Sequence, residues 1–225
     1  AKSADVFKGY GGLTTEFENR DNRMKNCLLA HGTKYWDNDK PRIDWKGMDG
    51  EDATNAITCN VFQGSGYQNQ KWGTERKVAD TFEGYDFPII RYAEVLLNKA
   101  EAAYRLNKIG EAQSAMNEVR ARVKVNLPGK SSTGEAWFKD YRNERKVELA
   151  YEGHLFWDMR RWELAHIEYN NYRTHGFKII GATNTYEYVD CDGQDRKFIK
   201  KLYVLPVPSE ELKNNSLIEQ YDEWK

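Results

Sequence analysis

Three glutamates recur at every fourth residue, Glu144, Glu148 and Glu152, and are followed by His154 and Asp158. On a helix the three carboxylates share one face. Two carboxylates about 5 Å apart suit retaining glycoside hydrolysis, and a separation of about 6.5–9.5 Å suits the inverting reaction. His154 and Asp158, also four apart, have the spacing of a metal-binding pair or of a base with the carboxylate that orients it. Each arrangement has a structural counterpart. Carboxylates four residues apart on a helix repel unless cations neutralise them, and Arg142, Arg145, Lys146, Arg160 and Arg161 lie close by in sequence. The balance favours partly buried ion pairs that lock adjacent helices. The histidines, at 31, 154, 166 and 175, form no HxxxH or HExxH pattern. A zinc site takes three or four protein ligands, so no metal is expected and His154 reads as structural or exposed.

Other chemical signals are weaker. Asp190, Asp192 and Asp195 resemble part of a calcium loop, but glycine falls at the fourth position of that count and Lys201 stands at the twelfth, where an EF-hand has glutamate. A polar hairpin turn is the better reading. No GxSxG, P-loop or GxGxxG occurs, so neither a nucleophile elbow nor a nucleotide cofactor is expected. Aromatics make up 13% of the chain, with seven Trp and fourteen Tyr. Tyr10, Tyr35, Trp36, Trp45, Tyr67 and Trp72 all fall in the first part. They either anchor loops to a core or offer flat faces on which sugar rings stack.

The elements that must hold these residues differ between two regions. Residues 1–87 are rich in Gly, Asn, Asp and aromatics, with little helical periodicity, and read as long loops with short strands. Residues 88–225 are patterned. Tyr92, Leu96, Ala100, Ala103 and Leu106 recur at helical spacing, as do Ala112, Ala115, Met116, Val119 and Val123. Ala100 and Ala112, either side of the turn "NKIG", would let two antiparallel helices approach as in tetratricopeptide pairs. Ser132, Thr133 and Glu135 offer caps for a third helix running to about Tyr151 through Trp137 and Tyr141. Gly153 interrupts the pattern and Phe156, Met159, Trp162 and Leu164 continue it. "TYEYV" and "KFIKKLYVL", flanking Asp192-Gly193, predict a β-hairpin over about 186–205. Ser209 is the expected N-cap of a short final helix. The fold class that results is mainly α, with long irregular loops and a small hairpin.

Composition narrows the function classes. Lys+Arg 34 against Asp+Glu 35 leaves a net charge of -1, which gives no support to nucleic-acid binding. Mean hydropathy is -0.86, and no apolar run approaches the ~20 residues of a membrane-spanning helix. Cys27, Cys59 and Cys191 are too scattered to suggest a disulfide framework or a metal. The chain opens "AKSADVFKGY", without a basic, apolar leader, which reads as part of something longer.

Five segments occur in a telling order: "NRDNRMK" (19–25), "PIIRYAEVLLNKAEA" (88–102), "NEVRARV" (117–123), "NERKVELAYEGHLFWDMRRW" (143–162) and "YVLPVPSEELKNNSLIEQ" (203–220). Together they resemble the carboxyl-terminal part of the SusD/RagB family, the surface nutrient-binding lipoproteins of Bacteroidetes. In that family the pattern carried here by Glu144, Arg145, Glu148, Glu152, Asp158, Arg161 and Trp162 is a structural signature. One departure is Leu155, where members often carry arginine; an ion pair would then be lost or replaced through His154. The resemblance implies a superhelix of tetratricopeptide-like pairs and no catalysis. It also implies capture of glycans, or in some members peptides, for import through a SusC-like TonB-dependent transporter of the outer membrane. The membrane association would be through a lipid anchor outside this chain. By rough position it points to Tyr35, Trp36 and Trp45 as the glycan platform, with Trp72 and Tyr10 behind them. With earlier helix pairs absent, exposed apolar surface on the Tyr92–Val123 pair, or self-association, is expected. The competing readings are a protein-interaction module that docks the transporter and a glycosidase using two of Glu144, Glu148, Glu152 and Asp158.

Overall fold

The structure is a computed structural model. It describes residues 15–28, 67, 69, 71–72, 88–171, 173–180, 185–190 and 193–225, with side chains left out for 177–180 and 185–189. Among these the chain is mostly helical: α1 Asn22–Cys27, α2 Tyr92–Arg105, α3 Ile109–Ala121, α4 Gly134–Glu148, α5 His154–Arg161, α6 Ala165–Glu168 and α7 Ser209–Asn214, with a single strand pair, β1 His175–Ile180 and β2 Thr185–Asp190. The chain divides into two compact units, one of Ala1–Leu155 with His175–Cys191, the other of Phe156–Thr174 with Asp192–Lys225.

In the first unit α2 and α3 form the expected helix pair. Ala100 and Ala112 are wholly buried, so the two backbones meet with no side-chain bulk between them, and Leu97, Met116 and Val119 fill the seam. The turn between them is closed by Asn107 at φ 59, a left-handed conformation that asparagine tolerates well. The buried face of α2 differs from the one expected. Ala93, Leu96, Leu97, Ala100 and Ala103 face the core, whereas Tyr92 is 67% and Leu106 68% exposed. Tyr92 opens the helix and Leu106 caps it, so both sit where the core-facing stripe has run out. Val123 lies beyond the end of α3 and is 95% exposed.

Helix α4 packs on α2 through aromatic rings. Tyr104 stacks on Trp137 and Phe138 at 5.0 and 5.2 Å, and Trp137 on Tyr141 at 5.4 Å. The Tyr141 hydroxyl donates to Glu101 Oε2 at 2.9 Å, satisfying a buried carboxylate. Thr133 occupies the N-cap of α4 without a side-chain cap bond; Ser132 Oγ donates to Asp140 instead, at 2.8 Å. The helix stops at Glu148, short of the expected Tyr151, because Tyr151 (φ 66) and Gly153 (φ 81) both adopt left-handed backbone before α5 starts.

Two expectations are corrected in the carboxyl-terminal part. "TYEYV" lies in a strand, but β2 pairs with β1 upstream, in register His175↔Asp190 to Ile180↔Thr185. The "KFIKKLYVL" segment instead holds a 3₁₀ turn, Lys200–Tyr203. Arg160 accounts for this: its guanidinium donates to the carbonyls of Leu202 and Tyr203 at 2.7 and 2.5 Å, taking acceptors that a sheet partner would have used. Ser209 is the first residue of α7, and the N-cap position belongs to Pro208, whose ring favours the extended entry.

Candidate functional site

The signature residues of the first unit assemble into a buried lattice of charge. It begins locally. Asp21 caps α1 by accepting from the Arg23 backbone N–H at 2.9 Å, and the same carboxylate accepts from Arg23 Nε and Nη2 at 3.0 and 2.6 Å. This leaves Arg23 Nη1 pointing into the core, 2.6 Å from Glu144 Oε1 and 2.7 Å from Glu148 Oε2. Arg120 Nη1 takes the other oxygen of Glu144, and Arg122 Nη2 adds to Glu148. Arg91, at the N-cap of α2, bridges Glu148 at 2.6 Å and Glu152 at 2.7 Å. Lys71 completes the row: its ammonium donates to the Glu148 and Ala150 carbonyls at 2.9 Å each and to Glu152 Oε1, placing a cation on the end of α4 where the helix dipole is negative.

The cations that reach the three glutamates therefore come from positions 23, 71, 91, 120 and 122, not from the neighbours that sequence proximity suggested. Arg145 is buried and donates to Asn98 on α2 at 2.8 Å; Arg142 lies over the Phe138 ring at 5.6 Å; Lys146 is exposed. Arg23 and Arg91 stood within two of the five family-like segments, but nothing in their local spacing assigned them a partner more than fifty residues away.

Electrostatics follow from the lattice. Burial by itself would raise the carboxyl of Glu148, but hydrogen bonds from Arg23 and Arg91, with the charges of Arg91 and Arg122, outweigh it and hold the group below the usual carboxylate range. Glu152 is lowered in the same way, with Arg91 and Lys71 overcoming burial. Neither holds a proton near neutral pH, whereas the acid of a glycosidase pair needs its pKa raised. The observed chemistry of this pair is cohesion.

In the second unit Asp158 is buried and accepts from Arg161 Nε at 2.9 Å, and the Arg161 guanidinium lies 4.7 Å over the Trp162 ring. In the first unit His154, next to Leu155, points Nε2 at Glu94 of α2, 3.6 Å away. Asp195 accepts from Arg173 at 2.8 Å, and Asp190 lies 3.1 Å from His175. Among the described residues no cluster of His, Cys, Asp and Glu is arranged to hold a metal.

Of the expected glycan platform, Tyr10, Tyr35, Trp36 and Trp45 lie outside the described residues. Trp72 is described. Its backbone is left-handed at φ 64, and the ammonium of Lys71 lies 5.7 Å from its ring. The side chain that anchors Lys71 to Glu152 thus also mounts Trp72 on the lattice. Tyr67 donates to the buried carboxylate of Glu16 at 2.6 Å, an anchoring role rather than a platform role.

A cavity of about 610 Å³ opens on one side of the lattice. Arg23, Arg120 and Glu144 form its buried floor, and Arg20, Lys130, Asn143, Lys146 and Tyr151 are among its lining. No helix among the described residues is long and apolar enough to cross a membrane.

Similarity to known proteins agrees with the architecture. The sequence profile of the SusD family matches residues 2–224. A SusD-like protein from Bacteroides fragilis superposes with a TM-score of 0.74 at 25% identity, over 97% of this chain and 42% of that one. A second B. fragilis structure, described as a SusD-like carbohydrate binding protein, gives 0.60 at 21% identity over 95% and 47%. A SusD superfamily protein from Bacteroides vulgatus gives 0.57 at 22% over 98% and 43%. The chain spans less than half the length of each of these proteins. No curated protein matches it. With its profile matched from end to end and its helix pairs superposed on solved relatives, the chain belongs to the SusD family.

Proposed function

We propose that this chain is part of a non-catalytic glycan receptor at the outer-membrane surface, capturing oligo- or polysaccharide for import through a SusC-like TonB-dependent transporter. The full-length protein would be held to the membrane by a lipid anchor. Family membership supports the reading, as does a relative described as carbohydrate binding. The observation that carries it is the mount of Trp72. Lys71 ties one flank of Trp72 to the carbonyl end of α4 and to Glu152, so this aromatic residue is held next to a rigid framework. Aromatic faces held in this way accept the C–H faces of sugar rings with little ordering cost. In this reading Tyr35, Trp36 and Trp45 carry most of the contact, with Trp72 and Tyr10 at its edge.

Titration of the chain against a panel of polysaccharides, followed by tryptophan fluorescence, tests it. A saturable response to one glycan class is expected, with Kd on the order of 0.1–1 mM, weakened in Trp36→Ala or Trp45→Ala. Binding unchanged in both variants would remove the platform assignment. A second reading, a protein-docking module, draws on the exposure of Tyr92 and Val95 on α2; binding to a transporter or a peptide with no response to any glycan would favour it.

A further inference from the structure

Tyr151 lines the cavity in a conformation that the lattice fixes. Its φ is 66, a left-handed backbone that a bulky residue rarely adopts. The residues on either side are held by one cation: Lys71 Nζ donates to the Ala150 carbonyl at 2.9 Å and to the Glu152 carboxylate. Arg91 adds two bonds to Glu152, at 2.7 Å each. The ring is therefore presented from a clamped backbone, and it is 52% exposed. Its hydroxyl end turns inward. Burial, with Cys27 beside it, pushes the phenol above its usual range, and Cys27 also lines the cavity. Among the described residues the Tyr151 hydroxyl has no hydrogen-bond partner. Asn143, on the same cavity wall, is exposed, and its amide likewise bonds to no described residue.

The charges around the cavity answer one another. Arg23 is shared by Asp21, Glu144 and Glu148, and Arg120 takes the remaining oxygen of Glu144. Lys130 pairs with Asp140 at 3.0 Å, and Arg20 acts on the buried Glu16 carboxylate. Lys146 is exposed, where water and salt screen a single charge. What the cavity offers a ligand is therefore uncharged: an aromatic face, a desolvated hydroxyl, a primary amide, and apolar walls from Met24, Val147 and Leu155. A largely apolar pocket with a few convergent polar groups is the ordinary form of a small-ligand site. The volume of about 610 Å³ lies within the usual range, roughly 300–1,000 Å³.

We infer that this cavity lodges one neutral pyranose unit of the captured glycan, with the next unit of the same sugar chain stacked on the exposed face of Tyr151. The C–H face of the lodged ring lies against Val147 and Leu155. One of its hydroxyls accepts from the Tyr151 hydroxyl. A vicinal pair meets the Asn143 amide, which offers a donor and an acceptor together. Tyr151 thus serves two sugar units at once, one through its polar end and one through its ring. The inference rests on the proposed glycan capture and adds to it a second contact region and a preference for uncharged sugar.

The test is calorimetric titration of the chain with maltotriose, cellotriose and mannotriose, and with trigalacturonate as the charged counterpart, at low and at high salt. A local readout accompanies it: the rate of alkylation of Cys27 by iodoacetamide, followed on its own peptide. One neutral trisaccharide is expected to bind saturably, with an affinity that salt leaves unchanged, and to slow Cys27 alkylation. Tyr151→Phe keeps the ring and should weaken binding about fivefold, the scale of one neutral hydrogen bond. Tyr151→Gly removes the ring at a backbone angle that glycine adopts freely, so it should stay folded by circular dichroism and lose about tenfold or more. Neutral sugar that binds both Tyr151 variants as tightly as the parent chain, or that leaves Cys27 alkylation unchanged, overturns the subsite; weaker binding in Trp36→Ala would then show that glycan capture stands without it. Tighter binding of trigalacturonate than of any neutral trisaccharide overturns the preference for uncharged sugar. No response to any glycan overturns both the subsite and the capture.

Discussion

Arg23 Nη1 lies 2.6 Å from Glu144 Oε1 and 2.7 Å from Glu148 Oε2, across 121 and 125 residues of sequence. One guanidinium group joins a six-residue helix near the start of the described chain to the last two turns of α4. All three side chains are nearly inaccessible to water, so the pair is not an exposed ion pair of small value. Its removal leaves buried charge without its counterion.

Arg23→Ala is therefore expected to destabilise the first unit by about 3–5 kcal/mol, the cost of breaking a buried pair from one side. Arg23→Lys should recover part of that, because it restores the charge but not the fork that contacts Asp21 and both glutamates at once. Urea denaturation of the two variants against the parent chain measures the difference. Equal stability of all three would mean that Arg120, Arg91 and Arg122 suffice.

The depressed carboxyls set an acid limit. Glu148 and Glu152 titrate below their unfolded value of 4.5, and Asp21 below 3.8. A group whose folded pKa is lowered contributes stability that is fully present above its unfolded pKa and is lost as pH falls through the folded value. Melting temperature should thus be flat near neutral pH and decline from about pH 4.5 downward. Glu152→Gln should start lower and decline less steeply. A melting temperature that rises on acidification would contradict the lattice.

Trp137→Ala should cost about 3–5 kcal/mol. Trp137 is fully buried and stacks on both Tyr104 and Tyr141, so its loss opens a cavity and disrupts the α2–α4 contact together. Thermal unfolding followed at far-ultraviolet wavelengths measures it.

Lys71→Met should separate mounting from packing. The chain loses the donor to Glu148 O, Ala150 O and Glu152, at a cost of about 1–3 kcal/mol. If Trp72 belongs to the glycan platform, affinity falls in this variant even under conditions where it is fully folded. Affinity equal to that of the parent chain would remove Trp72 from the platform.

In the second unit, Arg160→Ala frees the carbonyls of Leu202 and Tyr203. Amide exchange between Lys200 and Val204 should quicken, with little change in the α2–α3 pair. Unchanged exchange would show that the hydrogen bond between the Tyr203 hydroxyl and His166 is enough to hold the turn.

Local pattern alone determined a good deal of this protein. The alanine spacing of the α2–α3 pair, the interruption at Gly153 and the helical pattern of the segments between Tyr92 and Leu164 depend on periodicity and backbone preference, which neighbouring residues settle among themselves. The order of the five recurring segments was enough to place the chain in its family. What only the tertiary structure decided are the partners. Like charges on one face of α4 showed that cations were needed, but a charge acts through space, and those that answer are at 23, 71, 91, 120 and 122. The strand "TYEYV" was legible as a strand, yet its mate was not, because a ladder uses backbone groups common to every sequence and Arg160 had already claimed the carbonyls on one side. The cavity beside the lattice is the clearest case: it draws on residues 20–28, 120–130 and 143–155, three stretches far apart in sequence that line one space only because the fold brings them together.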